Sequence, residues 1–249
     1  MRPSGPPLGV VRIPEAVRRV AEGRDIEPVW RNELGGLAFR VGRAGDGDVV
    51  FVKWAEHDSG LDLAAEATRL EWARAYTPVP EVLAYGNDGS GWWLATAGLD
   101  GEDASSLRWR ADPLTAVRAI GAGLRRLHDA LPVEDCPFDW SVDERLRHGG
   151  IAEHSAGAEF RTAPPIDRLV VCHGDACAPN TLIADDGRFL AHVDLGRLGV
   201  ADRWADIAIA TLSTQWNYGP GWEEPLLDAY GIDPDPVRTD FYRRLWDAT

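Results

Sequence analysis

The order of apolar and polar side chains predicts a strand-rich segment over residues 1–97. Short apolar runs with valine, phenylalanine and tryptophan alternate with turn-forming clusters, which is the pattern of strands joined by turns. The cluster at 42–48 is short enough to predict a β-hairpin between the runs that flank it. The predicted strands cover 27–30, 37–41, 49–53, 81–85 and 91–96.

Two helices are predicted within the same segment. Apolar positions at helical intervals over 14–21 indicate one short amphipathic helix. The second covers 61–76, which is rich in alanine, leucine and glutamate. It ends before Pro78 and Pro80, because proline removes a backbone donor and clashes with the preceding turn.

After residue 98 the apolar spacing becomes helical. Asp112 is predicted as the N-cap of a long helix, with Pro113 at the first helical position, where its missing N–H costs nothing. Further helices are predicted over 204–213 and 241–246. The pattern predicts an α+β chain in two lobes.

The boundary between these lobes follows from the change of pattern. We predict a small strand-rich N-terminal lobe at 1–97 and a larger, mainly helical C-terminal lobe at 98–249. The connector is expected at about 96–101.

The acidic charge of the sequence limits the kinds of partner that the protein is expected to bind. The 249 residues include 40 acidic and 26 basic side chains, for a net charge of −14. Such a surface repels nucleic acids and anionic membranes and attracts a polycationic small molecule. It is equally consistent with a solvated acidic surface that only maintains solubility.

Other bulk features point to the cytoplasm. No stretch approaches the ~20 apolar residues that a membrane helix needs, and the N-terminus does not resemble a signal peptide. Three cysteines form an odd, sparse set that suits a reducing compartment. We expect a cytoplasmic protein, monomeric or dimeric, without nucleic-acid or membrane partners.

The segment 169–195 carries the candidate chemistry. It reads as an apolar strand, a polar loop, a second strand, a turn and a third strand that ends in Asp194. Asp175 and Asn180 share the loop, and the hairpin returns Asp194 towards them. Two carboxylates and an amide oxygen are ligands that suit Mg²⁺.

Phosphoryl transfer needs few protein groups, since catalysis is mostly alignment and charge neutralisation. One carboxylate takes the proton of the acceptor hydroxyl, and another, with an amide oxygen, holds the metal. A lysine grips the nucleotide phosphates, and an acid holds that lysine. Candidates for these roles, in order, are Asp175, Asp194 with Asn180, Lys53, and Glu66.

The motifs resemble the aminoglycoside phosphotransferase family, whose fold is related to that of protein kinases. His173-Gly174-Asp175 followed by Asn180, and the run at 193–206 that begins Val-Asp-Leu-Gly-Arg, carry the resemblance most specifically. Weaker matches are Phe51-Val-Lys53, Glu66, Trp72 and the segment 78–83. The resemblance implies a bilobal protein-kinase-like fold.

It also implies roles for individual residues. Asp175 would be the catalytic base, Asn180 and Asp194 would bind Mg²⁺, and Lys53 would pair with Glu66 on a helix. Three further roles follow from the resemblance alone: Phe51 on the adenine face, Ala97 and Leu99 in the connector that recognises the adenine edge, and Asp206 as an acid that braces the catalytic loop.

Several alternatives remain at these positions. His173 could be a general base or a structural residue, and Cys172, His173 and Cys177 could be read as part of a zinc site. The spacing lacks paired Cys-x-x-Cys knuckles, which argues against zinc. A P-loop motif is absent from the sequence.

The acceptor site departs from the family pattern. Asp247 is retained near the C-terminus, but Trp246 stands where an acid is expected, and the segment before the catalytic strand offers few acids beyond Glu153 and Glu159. Trp216, predicted to lie in a Gly/Pro-rich loop with Trp222, is a candidate for contact with a sugar. These four candidates are Asp247, Glu153, Glu159 and Trp216.

The resemblance implies a kinase that transfers the γ-phosphate of ATP or GTP, with Mg²⁺, to a 3′- or 3″-hydroxyl of an aminoglycoside. Three alternatives stay open: a kinase of another hydroxylated metabolite or antibiotic, a non-catalytic nucleotide or drug sensor, and an unrelated metal-dependent hydrolase.

Overall fold

The computed structural model describes residues 5–43, 47–151 and 159–249. The chain divides into two compact units: Met1–Ala75 with Val79–Asp100, and Tyr76–Pro78 with Gly101–Thr249. None of the helices within the described ranges has the length and apolar character to cross a bilayer.

The first unit contains a five-stranded antiparallel sheet with the order β1-β2-β3-β5-β4. All five predicted strands form, with ends that differ from the prediction by a few residues. Val41 pairs with Val50, so β2 and β3 make the predicted hairpin. The strands are β1 Ile26–Arg31, β2 Leu37–Val41, β3 Val50–Glu56, β4 Val82–Asn87 and β5 Gly91–Ala97.

Two helices pack on this sheet, and the alternation along β3 assigns its side chains to two faces. Val50 and Val52 are buried in a core that also contains Val17 of helix α1 (Glu15–Ala21). Phe51 and Lys53 point to the opposite face. There Lys53 meets helix α2 (Leu63–Ala73), which carries Glu66.

The N-cap of α2 stabilises the helix that carries Glu66. Oδ1 of Asp62 accepts the N–H of Ala65 at 2.8 Å, which satisfies one of the unpaired donors of the first turn. We expect Asp62→Ala to lower the free energy of unfolding by about 1 kcal/mol in urea denaturation. Asp58→Ala, which removes the same charge from an exposed neighbouring position, is the control. Equal losses in both variants would contradict a capping role.

The second unit is mainly helical. Asp112 caps its longest described helix as predicted, since Oδ1 accepts the N–H of Thr115 at 3.4 Å. The two C-terminal helices that the sequence predicts form with greater lengths than expected. The helices are α3 Leu107–Ala111, α4 Pro113–Ala130, α5 Val142–His148, α6 Trp204–Tyr218, α7 Glu223–Tyr230 and α8 Pro236–Ala248, with single 3₁₀ turns at Glu159–Arg161 and Ala178–Asn180.

Short strands surround the candidate loop. A two-stranded antiparallel sheet pairs β7 with β10, and a three-stranded sheet has the order β6-β8-β9. The hairpin of β8 and β9 is the one predicted from the segment 169–195. The strands are β6 Glu102–Asp103, β7 Leu169–Cys172, β8 Thr181–Ile183, β9 Phe189–His192 and β10 Gly199–Asp202.

Two sequence-based expectations are wrong in detail. Strand β9 ends at His192, before Asp194, because Asp194 adopts a left-handed φ of 63° that a strand cannot contain. Trp216 does not lie in a loop. It belongs to α6, which continues to Tyr218 and stops only at Gly219, where φ is 84°.

Candidate active site

The loop that carries Asp175 follows the buried strand β7 through a glycine that no other residue can replace without strain. Gly174 has φ of 83°, and a Cβ built on it would lie 2.1 Å from the carbonyl oxygen of Arg197. Both the left-handed backbone and the close approach require glycine. The chain therefore turns sharply between β7 and Asp175.

Asp175 and Asn180 are joined across this loop. Nδ2 of Asn180 donates to the carbonyl oxygen of Asp175 at 2.9 Å. Because the amide nitrogen is used in this way, the amide oxygen is the atom of Asn180 that can serve as a ligand. Oδ1 of Asp175 is buried and has no hydrogen-bond partner among the described residues. An orphaned buried carboxylate oxygen of this kind needs a functional explanation.

The hairpin brings the chain at Asp194 back to Asn180. Thr181 pairs with His192, and the N–H of Val193 donates to the carbonyl oxygen of Asn180 at 3.0 Å. Asp194 is the next residue. Its positive φ is uncommon outside glycine and persists only where the surrounding structure imposes it.

His173 crosslinks the loop to the end of this hairpin. Its Nε2 lies 3.0 Å from the carbonyl oxygen of Val193, and its Nδ1 accepts the N–H of Asp175 at 3.2 Å. A neutral imidazole with its proton on Nε2 satisfies both contacts. The ring is fully buried, so neither nitrogen is offered to a substrate. Burial lowers the pKa of the neighbouring His192 well below its usual value.

The zinc alternative finds no support in the two cysteines beside this histidine. Burial, followed by the charge of Asp206, raises the pKa of the Cys172 thiol, and burial with the charge of Asp175 raises that of Cys177. The Sγ of Cys172 donates to the carbonyl oxygen of Asp202 at 3.4 Å, and both ring nitrogens of His173 are already engaged, so neither residue presents a free ligand atom.

Asp206, at the start of α6, holds the beginning of the loop. Its Oδ1 accepts the N–H of Gly174 at 2.9 Å, and its Oδ2 accepts the N–H of His173 and lies 3.0 Å from Nε2 of His128. Burial alone would raise the pKa of Asp206. The hydrogen bond and charge of His128, with the backbone donors, hold that pKa below its usual value instead.

This support extends through two residues that the sequence did not single out. The hydroxyl of Tyr230 on α7 lies 2.8 Å from Nδ1 of His128 on α4. Burial raises the pKa of Tyr230 to about 12, so its hydroxyl stays protonated. The sequence gave one local indication of this support, because His128 stands at a core-facing helical position of α4. Tyr230 gave none, because the contact joins residues 102 positions apart.

The first unit contains the lysine and acid pair predicted from the sequence. Nζ of Lys53 lies 2.7 Å from Oε1 of Glu66, whose side chain is buried. Lys53 is the only lysine in a sequence that has 25 arginines. An ammonium group is a compact point charge, whereas a guanidinium group is a planar fork of donors. The single lysine at this position is therefore consistent with a requirement for the compact charge.

The backbone N–H groups of the connector residues differ in whether they already have an acceptor within the protein. The N–H of Ala97 donates to Glu81 at 2.9 Å, and the N–H of Gly98 donates to Val49 at 2.7 Å. In the described part of the chain the N–H of Leu99 has no such acceptor. Recognition of an adenine edge by a backbone donor is therefore an expectation for Leu99 and not for the N–H of Ala97.

Comparisons with known proteins identify the family. A sequence model of the phosphotransferase enzyme family matches residues 31–242. An aminoglycoside 3′-phosphotransferase of Streptomyces fradiae is 37% identical over 220 residues, which cover 77% of this chain and 81% of the relative. The chain belongs to the aminoglycoside phosphotransferase family.

Other family members extend the match to most of the chain. A streptomycin 3″-kinase of Streptomyces griseus is 31% identical and covers 90% of this chain and 92% of its own. A crystal structure of an aminoglycoside-3′-phosphotransferase of type VIII gives a TM-score of 0.78 at 30% identity, covering 94% of this chain and 98% of that one.

One similar structure contains ligands. An aminoglycoside phosphotransferase from Streptomyces rimosus, in complex with ADP and streptomycin, has a TM-score of 0.72 at 30% identity and covers 92% of this chain and 95% of its own. The α+β, kinase-like fold expected from the sequence is thus the fold of this aminoglycoside phosphotransferase family member.

Three of the four candidate acceptor residues lie at exposed positions of the second unit. Glu159 is exposed and forms a 3.2 Å ion pair with Arg244 on α8, the helix that also carries the exposed Asp247. Trp216 on α6 is 56% exposed. Glu153 lies outside the described residues.

Proposed function

We propose that this protein is a Mg²⁺-dependent kinase that transfers the γ-phosphate of ATP or GTP to the 3′- or 3″-hydroxyl of an aminoglycoside. The observation that carries the proposal is the loop in which Asn180 is bonded to Asp175 and to the residue before Asp194. Family membership supports the same reaction class, because the relatives are named as aminoglycoside 3′-phosphotransferases and a streptomycin 3″-kinase.

Within this proposal Asp175 takes the proton of the acceptor hydroxyl. A base must lie within hydrogen-bond reach of that proton. The carboxylate of Asp175, which follows the sharp turn at Gly174 and is joined through its backbone to Asn180, is the group assigned to that role. His173 and Asp206 would fix the direction of this carboxylate through the backbone of the loop.

The oxygen donors of the loop fit a magnesium ion. Asn180 presents its amide oxygen because its nitrogen is committed to Asp175, and Asp194 offers a carboxylate beside it in the chain path. Hard oxygen ligands suit Mg²⁺, which retains several waters and binds substrate phosphates. When bound, the ion would neutralise charge on the phosphate oxygens during transfer.

Lys53 and Glu66 would serve the nucleotide. The carboxylate of Glu66 orients the ammonium group of Lys53 for a charge-assisted contact with the phosphates. Phe51, on the same face of β3, would lie against the adenine, and Leu99 would donate its backbone N–H to the adenine edge.

A lysine-to-methionine change tests this assignment. A hydrogen bond to a charged group contributes about 1.5–3 kcal/mol, so Lys53→Met should lower kcat/KM for nucleotide roughly 10- to 100-fold, mainly through KM. Because Lys53 is the only lysine, an amine-directed reagent provides an independent check in the unmodified protein. Mg-ATP should protect Nζ from acylation. Equal labelling with and without Mg-ATP would contradict contact with the phosphates.

The acceptor is proposed to be polycationic, and the net charge of −14 supports its attraction to the surface. Asp247, Glu159, Glu153 and Trp216 are the proposed contacts. All three cysteines are free, which suits a reducing compartment such as the cytoplasm.

An acceptor panel tests the function. Nucleoside diphosphate release should be measured with Mg²⁺, with ATP and GTP in turn, and with streptomycin-like, kanamycin-like and non-aminoglycoside alcohols. The proposal predicts release that depends on an aminoglycoside. Release that depends on a different hydroxylated compound would replace the acceptor, and fast release without any acceptor would indicate a hydrolase.

A further inference from the structure

Helix α6 contacts the candidate loop a second time, through a buried serine. Oγ of Ser213 accepts the N–H of Ala178 at 2.9 Å, and the Ser213 side chain is only 1% exposed. Ala178 is the first residue of the 3₁₀ turn that ends in Asn180. The hydroxyl therefore holds the beginning of the turn that presents Asn180.

The spacing along α6 makes this contact the partner of the one made by Asp206. Asp206 and Ser213 are seven residues apart, which places both on one face of a helix, about 10 Å apart along its axis. Asp206 holds the backbone of His173 and Gly174, before Asp175, and Ser213 holds Ala178, after it. One rigid helix thus fixes both ends of the loop.

The hydroxyl of Ser213 is itself oriented by polar neighbours. Nδ2 of Asn217, one turn further along α6, donates to Oγ of Ser213 at 3.2 Å and to its carbonyl oxygen at 2.9 Å. Nη2 of Arg110 donates to Oδ1 of Asn217 at 3.3 Å. A chain of hydrogen bonds therefore runs from the surface at Arg110 to the loop backbone at Ala178.

We propose that Ser213 is a positioning residue for phosphoryl transfer, which fixes the Ala178–Asn180 turn and so sets the amide oxygen of Asn180 relative to Asp175. The inference rests on the proposed function of the loop. Ser213 touches neither acceptor nor nucleotide in this account. Its loss should change the use of Mg²⁺ and the rate of transfer but leave acceptor binding intact.

The test compares two buried hydroxyl deletions on the same helix. Ser213→Ala removes the acceptor of the Ala178 N–H. Thr214→Val, the matched control, removes an equally buried hydroxyl that bonds only within the helix, to the carbonyl oxygen of Thr211 at 2.7 Å. Ser213→Thr retains the hydroxyl and serves as the conservative rescue.

In Ser213→Ala we expect kcat to fall and the Mg²⁺ concentration for half-maximal rate to rise, each by roughly 10- to 100-fold, the usual effect of losing an outer-shell partner. The KM for the acceptor should change less than about 2-fold, because Ser213 makes no contact with the acceptor. Amide hydrogen exchange of the apoprotein gives a readout that is independent of activity. The N–H of Ala178 should exchange faster in Ser213→Ala and as slowly as wild type in Thr214→Val.

Two results would overturn the proposal: an unchanged Mg²⁺ dependence in Ser213→Ala, whether or not its stability falls, or an equal defect in Thr214→Val. If Ser213→Ala folds poorly, Asn217→Ala tests the same series of hydrogen bonds at a half-buried position. In that variant we expect kcat to fall and the Mg²⁺ concentration for half-maximal rate to rise by only a few-fold. If the wild type transferred no phosphate to any acceptor, the proposed function would fail. The exchange of Ala178 would still decide whether Ser213 fixes the turn.

Discussion

Replacement of Asp175 by asparagine is expected to lower kcat by roughly 10²- to 10⁴-fold, the scale of a lost general base. Asparagine keeps the size of the side chain and leaves the backbone N–H that donates to His173 in place. It cannot take a proton from the acceptor hydroxyl. The change should therefore appear in kcat, with the KM for nucleotide and acceptor nearly unchanged, because the lost interaction exists only in the transition state.

The control for this variant is Asp185→Asn. Asp185 lies in the turn of the β8–β9 hairpin, is fully exposed and carries the same charge, so its replacement should leave kcat within about 2-fold of wild type. Nucleotide binding by Asp175→Asn, measured by calorimetry, should equal that of wild type. A fully active Asp175→Asn enzyme would remove this residue from the chemistry.

The second large effect is on stability. Asp206→Asn should lower the free energy of unfolding by about 2–5 kcal/mol, because both oxygens of this buried carboxylate accept hydrogen bonds. An amide has one oxygen, so its NH₂ group must face the N–H of Gly174, of His173 or of His128. A buried donor that faces another donor loses its hydrogen bond outright.

Urea denaturation at pH 7 measures this loss, and Asp240→Asn, an exposed carboxylate paired with Arg244, is the control. The control should change the free energy of unfolding by less than about 1 kcal/mol, as for other exposed ion pairs. A difference between Asp206→Asn and wild type as small as that of the control would contradict the bracing role.

Acidification gives the same residue a second test. The pKa of Asp206 is lower in the folded protein than its usual value, so its carboxylate contributes stability that is present above the unfolded-state pKa of about 3.9. That contribution is lost as the pH falls through the still lower folded-state pKa. The stability difference between wild type and Asp206→Asn, which cannot titrate at this position, should therefore shrink as the pH falls below about 4. A difference that grows with acid would have the wrong sign.

The regular elements of this fold were readable from local patterns. The apolar run that carries Phe51 and Lys53 was predicted as a strand, which is β3, and the β8–β9 hairpin was predicted from a turn between two apolar runs. Asp112 was identified as an N-cap from its position before Pro113, and its side chain makes that bond. Each of these features depends on neighbours within a few residues, which a single sequence displays.

The supports of the loop were not readable in this way. Ser213 and Tyr230 act on residues 35 and 102 positions away, so their partners are fixed only when separate helices pack. The early end of β9 was missed because the left-handed backbone of Asp194 is imposed by its surroundings and leaves no mark in composition. Helix α7, with eight residues, was not predicted, because the sequence before it was interpreted as a Gly/Pro-rich loop and the helix itself contains Pro225.

Mass spectrometry of an aminoglycoside after incubation with the enzyme shows whether this protein transfers a phosphoryl group to the antibiotic. With Mg-ATP or Mg-GTP, wild type should add one phosphoryl group to at least one aminoglycoside. The product should disappear when EDTA removes the metal, and in Asp175→Asn it should form roughly 10²- to 10⁴-fold more slowly. Product formation that survives EDTA would rule out a metal-dependent transfer, and formation at the wild-type rate in Asp175→Asn would rule out Asp175 as the base.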